Sequence, residues 1–418
     1  VKDKIQHIKS LFQNNRKVAE NYFFITFLHG ANLLIGLLLF PYLIRTLGKE
    51  AYGTYVFILS NIQFFLIFVT FGFNYPALKK ISLHPTDNQI KSQTVSEVFT
   101  AKIYLLVLCA VVLSGLLFFI PFVRANAVFY IVIFTSLLVN ILFPSWYFQG
   151  IQKMKFITYV NFTVRILTIP LIFIFVKSPA DLLKFALIVT LLPVAGAVFT
   201  FFYLQIKEKI QIRFVPFASL KPVFADALPF FWTSAFNTFK KESVTLITGT
   251  FFSMGSVALW DLANKIITIP QFITSSINSA LFPKVAKNHN SENVRKIIKY
   301  ETIIGLTISV FIAAFGYWAV LILGGEELLA AYPLAIILSF IIFASLIASC
   351  YINFVFVPHN KYYLVAKNQF VALVSFLLLS AVGLLISKHI AVLVSAYTLS
   401  HIVEIIYCRY LTKTHKLL

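Results

Sequence analysis

Apolar runs of about twenty residues, the length that carries a helix across a bilayer, recur from Tyr22 to Tyr410 with only short polar breaks. The first set of predicted helices covers Tyr22 to Ile44, Gly53 to Pro76, Phe99 to Ile120, Val128 to Gly150, Tyr159 to Val176 and Leu183 to Ile206. A second set covers Ala225 to Phe252, Gly255 to Pro283, Tyr300 to Leu323, Pro333 to Val357, Lys367 to Ser387 and Ile390 to Tyr410. The pattern predicts an all-α polytopic membrane protein of about twelve transmembrane helices.

The longest polar interruption after the middle loops begins at Lys207 and separates six predicted helices from six more. It divides the chain into residues 1–206, a linker over 207–224 and residues 225–418. The halves echo each other. Helix two opens with Gly53 and runs to YPALKK at Tyr75 to Lys80, and helix eight opens near Gly255 and runs to LFPKVAK at Leu281 to Lys287. That placement predicts a parallel internal repeat.

Composition agrees with the pattern, since 59% of the 418 residues are hydrophobic against about 45–50% in a soluble domain. The formal charge of +20 changes the picture only once it is placed. With both termini on one side, that side collects most of the basic residues, including Arg16, Lys79, Lys153, Arg213, Lys296, Lys361 and Lys413. The other side holds Arg45, Lys49, Arg124, Lys177, Lys184 and Lys388. The positive-inside rule then makes the richer side, with both termini, cytoplasmic. Nucleic acid is not needed to account for the charge. Cys109, Cys350 and Cys408 lie in or beside apolar runs and read as packing residues. The first run is too long for a signal-peptide core and reads as a retained helix.

One outer hairpin is the most informative stretch. In FPYLIRTLGKEAYGTYVFI, Phe40 to Ile58, charges and glycines interrupt two apolar runs. Gly48 suits a left-handed turn, Gly53 a close helix contact, and Arg45 the outer headgroups, so a structural hairpin is the expected role. The segment LIRTLGKEAYGTYVFI resembles the corresponding segment of the bacterial polysaccharide exporters, the O-antigen repeat-unit flippases of Wzx type. These stand within the multidrug, oligosaccharidyl-lipid and polysaccharide exporter superfamily. The resemblance extends to the helix count, the six-plus-six division and LFPKVAK. It implies a MATE-like pair of six-helix bundles around a central cavity in the bacterial inner membrane. The implied substrate is an undecaprenyl-pyrophosphate-linked oligosaccharide, moved from the cytoplasmic to the periplasmic leaflet. Implied partners are membrane lipids, a polysaccharide polymerase and a chain-length regulator.

Charges within the apolar runs carry the candidate chemistry, because a Lys or Asp at a helix centre costs about 2.5–3.5 kcal/mol on insertion scales. Asn237, Lys240, Lys241, Thr245 and Thr248 follow helical spacing on helix seven, as do Asp261, Asn264, Lys265, Thr268, Ser275 and Asn278 on helix eight. Asn161, Arg165 and Thr168 form a shorter stripe on helix five. Lys240, Lys241, Lys265 and Arg165, with Asn237 and Asn264, are the candidate substrate-binding groups. Cations balance pyrophosphate, and amides bond sugar hydroxyls. The competing reading pairs the charges inside the bundle, with Glu242 answering a lysine and Asp261 answering Lys265 one turn away. Asp261, Glu242, His29 and Glu404 are the candidate groups for coupling to an H+ or Na+ gradient. His29 beside Asn32 and His401 beside Glu404 also read as interhelical hydrogen-bonders. Lys102, near an inner helix end, is expected to snorkel to the headgroups.

Rival functions differ in the chemistry they need. A cationic-drug antiporter favours carboxylates in its cavity, whereas the excess here is Lys and Arg. A lipid II flippase differs only in substrate. A membrane polymerase or ligase needs a large outer loop, and every predicted outer loop is short. No metal cluster, nucleotide loop or nucleophile with a nearby base stands out, which leaves a transporter without a bound cofactor as the expectation.

Overall fold

The computed structural model describes residues 2–287, 291–359 and 361–417, and helix dominates them, with no strand among the described residues. In lipid every backbone N–H and C=O must be satisfied within the protein, and the helix does this inside one segment. The long helices are labelled in chain order. A continuous run Lys2–Thr70 breaks at Gly48 (φ 77°, ψ 161°) into α1 (2–47) and α2 (49–70). Then come α3 (Asn88–Phe119), the broken span α4 (Ala127–Gly150), α5 (Met154–Phe175) and α6 (Leu182–Ile206). They are followed by α7 (Lys221–Phe251), α8 (Met254–Lys287), α9 (Ser291–Gly324), α10 (Ala331–Phe356), α11 (Tyr362–Ile386) and α12 (Ile390–Thr414).

Among the described residues, nine helical segments are long and apolar enough to cross a membrane, the first being the 45-residue stretch Thr26–Thr70 that contains the Gly48 break. Helices α7 and α8 are 31 and 34 residues long but carry charges along their length. Several helices start earlier than hydropathy predicts. Helix α3 begins at Asn88, eleven residues ahead of the apolar run, because Asp87 caps it by accepting hydrogen bonds from the Gln89 and Ile90 amides at 2.9 and 3.0 Å. An apolar pattern sees only the part in lipid, whereas a polar helix continues into water wherever its end is capped.

The contacts resolve the chain into two compact units. The first comprises Val1–Ile35, Phe65–Lys177 and Leu183–Phe231, and the second Gly36–Phe64, Ser178–Leu182 and Trp232–Leu418. The core of the first gathers Phe73, Ile81, Trp146, Phe148 and Leu204. Here the polar segment from Lys209 to Val215 lies extended along α3. Ser92, Ser96 and Thr100, four residues apart, present hydroxyls that accept from the amides of Gln211, Arg213 and Val215 at 3.1, 3.0 and 3.2 Å. Ile210 is buried beneath it.

The core of the second unit gathers Val294, Phe354, Phe356, Leu364 and Cys408. Cys109, Cys350 and Cys408 are all free and buried. The side chains of Ser275 and Asn278, and of the Leu281–Lys287 echo, lie outside the described residues.

Candidate transport site

The hairpin motif docks on the start of α8, within the second unit. Gly53 is buried against the Met254 backbone, where any Cβ would collide with the Met254 carbonyl. Glu50 accepts a hydrogen bond from the Gly255 amide at 2.8 Å. It thereby satisfies an orphan N–H in the first turn of α8 and sets negative charge at the positive end of the helix. Buried Tyr52 donates to Asp261 Oδ2 at 2.8 Å and accepts from Lys265 Nζ at 3.1 Å. Lys265 also pairs directly with Asp261. Its ammonium lies 5.3 Å from the Phe40 ring centroid and 5.8 Å from that of Tyr52. Two turns along α2, Ser60 donates to the Glu242 carbonyl at 3.3 Å. Arg45 is exposed, and Gly48 supplies the positive φ at the break.

Helix α7 divides its polar residues between two environments. Lys240 is fully buried, with Nζ 3.1 Å from Glu404 Oε2 on α12. The Glu404 carboxylate also accepts from Gln369 Nε2 at 2.7 Å and Asn368 Nδ2 at 3.4 Å on α11, and lies 3.2 Å from His401 Nδ1. The Lys240 ammonium stands 6.0 Å from the Tyr397 ring centroid. Thr245 and Thr248 are buried as well, and Thr245 accepts from Trp260 Nε1 at 3.1 Å. Lys241 and Asn237 are instead exposed, Lys241 with a 55% exposed side chain 3.9 Å from Glu242. Asn264 is half-buried.

In the first unit Arg165 donates from Nε to Asn32 Oδ1 at 3.1 Å, joining α5 to α1, and His29 is exposed one turn earlier on α1. Lys102 does not snorkel. It is 2% exposed and donates to Asn74 Oδ1 at 3.2 Å and to the Asn140 carbonyl at 2.9 Å. Two preformed acceptors on neighbouring segments hold its ammonium inside.

Sequence reasoning assigned no role to Glu50, Tyr52, Asn368 or Gln369. Tyr52 carried a faint signal by standing inside the motif. The two amides on α11 follow no periodicity, and their role exists only once α12 brings Glu404 beside them.

Solved structures share this fold. An inward-facing MATE family multidrug resistance transporter of the MOP superfamily superposes with a TM-score of 0.72 over 94% of this chain and 95% of its own, at 13% identity. Lipid II flippase MurJ in an inward closed conformation does so with a TM-score of 0.67 over 92% and 86%, at 14% identity. The fold is thus all-α, polytopic and MATE-like. Residues 18–289 match the polysaccharide biosynthesis protein family, and the chain belongs to it. Two relatives are each named "Putative O-antigen transporter". The Escherichia coli K12 protein is 25% identical over 285 residues, 68% of this chain and 69% of its own. The Shigella dysenteriae protein is 23% identical over 318 residues, 74% and 78%.

Proposed function

We propose that this transporter flips an undecaprenyl-pyrophosphate-linked oligosaccharide, an O-antigen or other surface-polysaccharide repeat unit, from the cytoplasmic to the periplasmic leaflet by alternating access. The relatives' names support an O-antigen cargo, the lipid pyrophosphate is what the motif resemblance implies, and one observation in this chain carries the chemistry. Lys241, 3.9 Å from Glu242, presents a 55% exposed side chain in the second half of the 31-residue α7, where lipid contact by a lysine is unfavourable by about 2.5–3.5 kcal/mol. Water or an anion is its natural neighbour. Lys265, with 28% of its side chain exposed beside Asp261, and Arg165 on α5 are further cations for the pyrophosphate. Asn237 and Asn264 are amides suited to sugar hydroxyls. Buried Lys240 enters the reading through its pair with Glu404, which holds α7 to α12.

On this reading the protein sits in the bacterial inner membrane with both termini cytoplasmic, as two six-helix halves joined by residues 207–224. It draws on an H+ or Na+ gradient and hands its product to a polysaccharide polymerase with a chain-length regulator. Reconstitution with a labelled lipid-linked oligosaccharide, followed by its arrival in the outer leaflet, tests the reading. Transport by the parent protein is expected, and its absence from proteoliposomes of well-folded protein under an imposed H+ or Na+ gradient would overturn it.

A further inference from the structure

Several basic residues near the polar ends of the helices serve local pairing. Lys80 meets Glu97 at 3.3 Å, Lys153 meets Glu208 at 2.6 Å, and Lys296 meets Glu292 at 2.7 Å. One cluster in the second unit departs from this. Arg295 and Lys299, one turn apart on α9, and Arg409 and Lys413, one turn apart on α12, line a single cavity of about 400 Å³ together with Tyr351 of α10. None of the four has a carboxylate partner among the described residues, although Lys296 beside Arg295 is paired. Thr412, 4% exposed, also lines this cavity, and its hydroxyl has no hydrogen-bond partner among the described residues. A buried donor left unsatisfied beside four unneutralised cations is an arrangement that an oxyanion completes.

The surface next to the cavity is apolar. Tyr300, Ile303 and Ile304 continue along α9, and Ile406 and Tyr410 along α12, all of them exposed. A ligand seated among the cations therefore has greasy helix faces beside it, which suits the chains of a lipid. Basic pockets between membrane helices bind anionic headgroups in this way. Two guanidinium forks and two ammonium groups match two phosphoryl groups better than one, since a single phosphodiester leaves three positive charges unanswered.

We infer that the cleft between α9 and α12 is a binding site for a lipid whose head carries two phosphoryl groups. Two sources share that chemistry, a diphosphatidylglycerol-type phospholipid of the bilayer and a polyprenyl diphosphate. The polyprenyl diphosphate source rests on the proposed function, whereas the phospholipid source does not.

Native mass spectrometry of the full-length protein in detergent tests it, with diphosphatidylglycerol, undecaprenyl diphosphate and phosphatidylglycerol as probes. At least one two-phosphate lipid is expected to bind about tenfold or more tightly than phosphatidylglycerol, with an affinity that falls as salt rises. The double variant Arg295→Gln/Arg409→Gln should abolish that preference, and Thr412→Val should weaken it several-fold. Lys80→Gln, outside the cleft, should leave it intact. Preference for diphosphatidylglycerol alone identifies a bilayer lipid, and preference for undecaprenyl diphosphate alone identifies a carrier lipid. Equal binding of all three lipids, or an unchanged preference in a double variant that elutes as folded protein, overturns the inference. Should the double variant fail to fold, Lys299→Gln/Lys413→Gln removes the same charge from the same cavity, and an unchanged preference in that protein overturns the inference equally.

Discussion

Gly53 lies so close to the Met254 carbonyl that a single methyl group has no room. The residues on either side of that contact, Glu50 and Tyr52, reach the Gly255 amide and the Asp261–Lys265 pair. The motif is thus a clasp whose small residue permits the approach and whose polar residues fix it. Gly53→Ala should destabilise the protein by about 1–3 kcal/mol through overpacking, read as a lower melting temperature in detergent. Gly36→Ala is the control, because a Cβ there meets nothing within 4 Å, and it should be neutral or slightly stabilising. Equal behaviour of the two variants would remove the close contact as the reason for the glycine. Much of this was legible, since charges and glycines between apolar runs announce a turn and a close contact. The partner was not, because nothing in the motif states that its hydrogen-bonding partners belong to Gly255 and Asp261, more than two hundred residues away.

At the scale of elements, the Lys240–Glu404 pair joins α7 to α12 across 164 positions of sequence, with Gln369 and Asn368 on α11 completing the carboxylate's shell. Hydropathy flagged both charges as expensive but pointed each toward a neighbour on its own helix, since local spacing is all that a linear pattern records. Removing one partner strands the other in a buried site, which is unfavourable by about 3–5 kcal/mol, whereas removing both is milder. Lys240→Met and Glu404→Gln should each lower thermal stability more than the double variant does. Additive losses in this cycle would show that the two side chains do not support one another.

Over the whole molecule, the apolar helices were legible because lipid leaves the backbone no alternative. Their polar extensions, such as the first turns of α3, were not, because water imposes no such pattern. The break at Gly48 was legible from the glycine itself. The proposed orientation rests on charge alone and is open to test. In a background lacking Cys109, Cys350 and Cys408, cysteines at Thr414 and Glu326, both exposed, should label from opposite sides of the membrane, and labelling of both from outside would contradict the topology. The role proposed for Lys241, Lys265 and Arg165 is to carry a lipid pyrophosphate across the membrane. A charge-assisted bond to phosphate contributes about 1.5–3 kcal/mol, so its loss from a limiting step slows transport by about tenfold to a hundredfold. The most direct measurement is the initial rate at which a labelled lipid-linked oligosaccharide reaches the outer leaflet of proteoliposomes. Lys241→Gln should lower that rate within this range, Lys241→Arg should retain more of it, and Lys79→Gln should leave it near the parent. An undiminished rate for a well-folded Lys241→Gln protein would rule Lys241 out of that role.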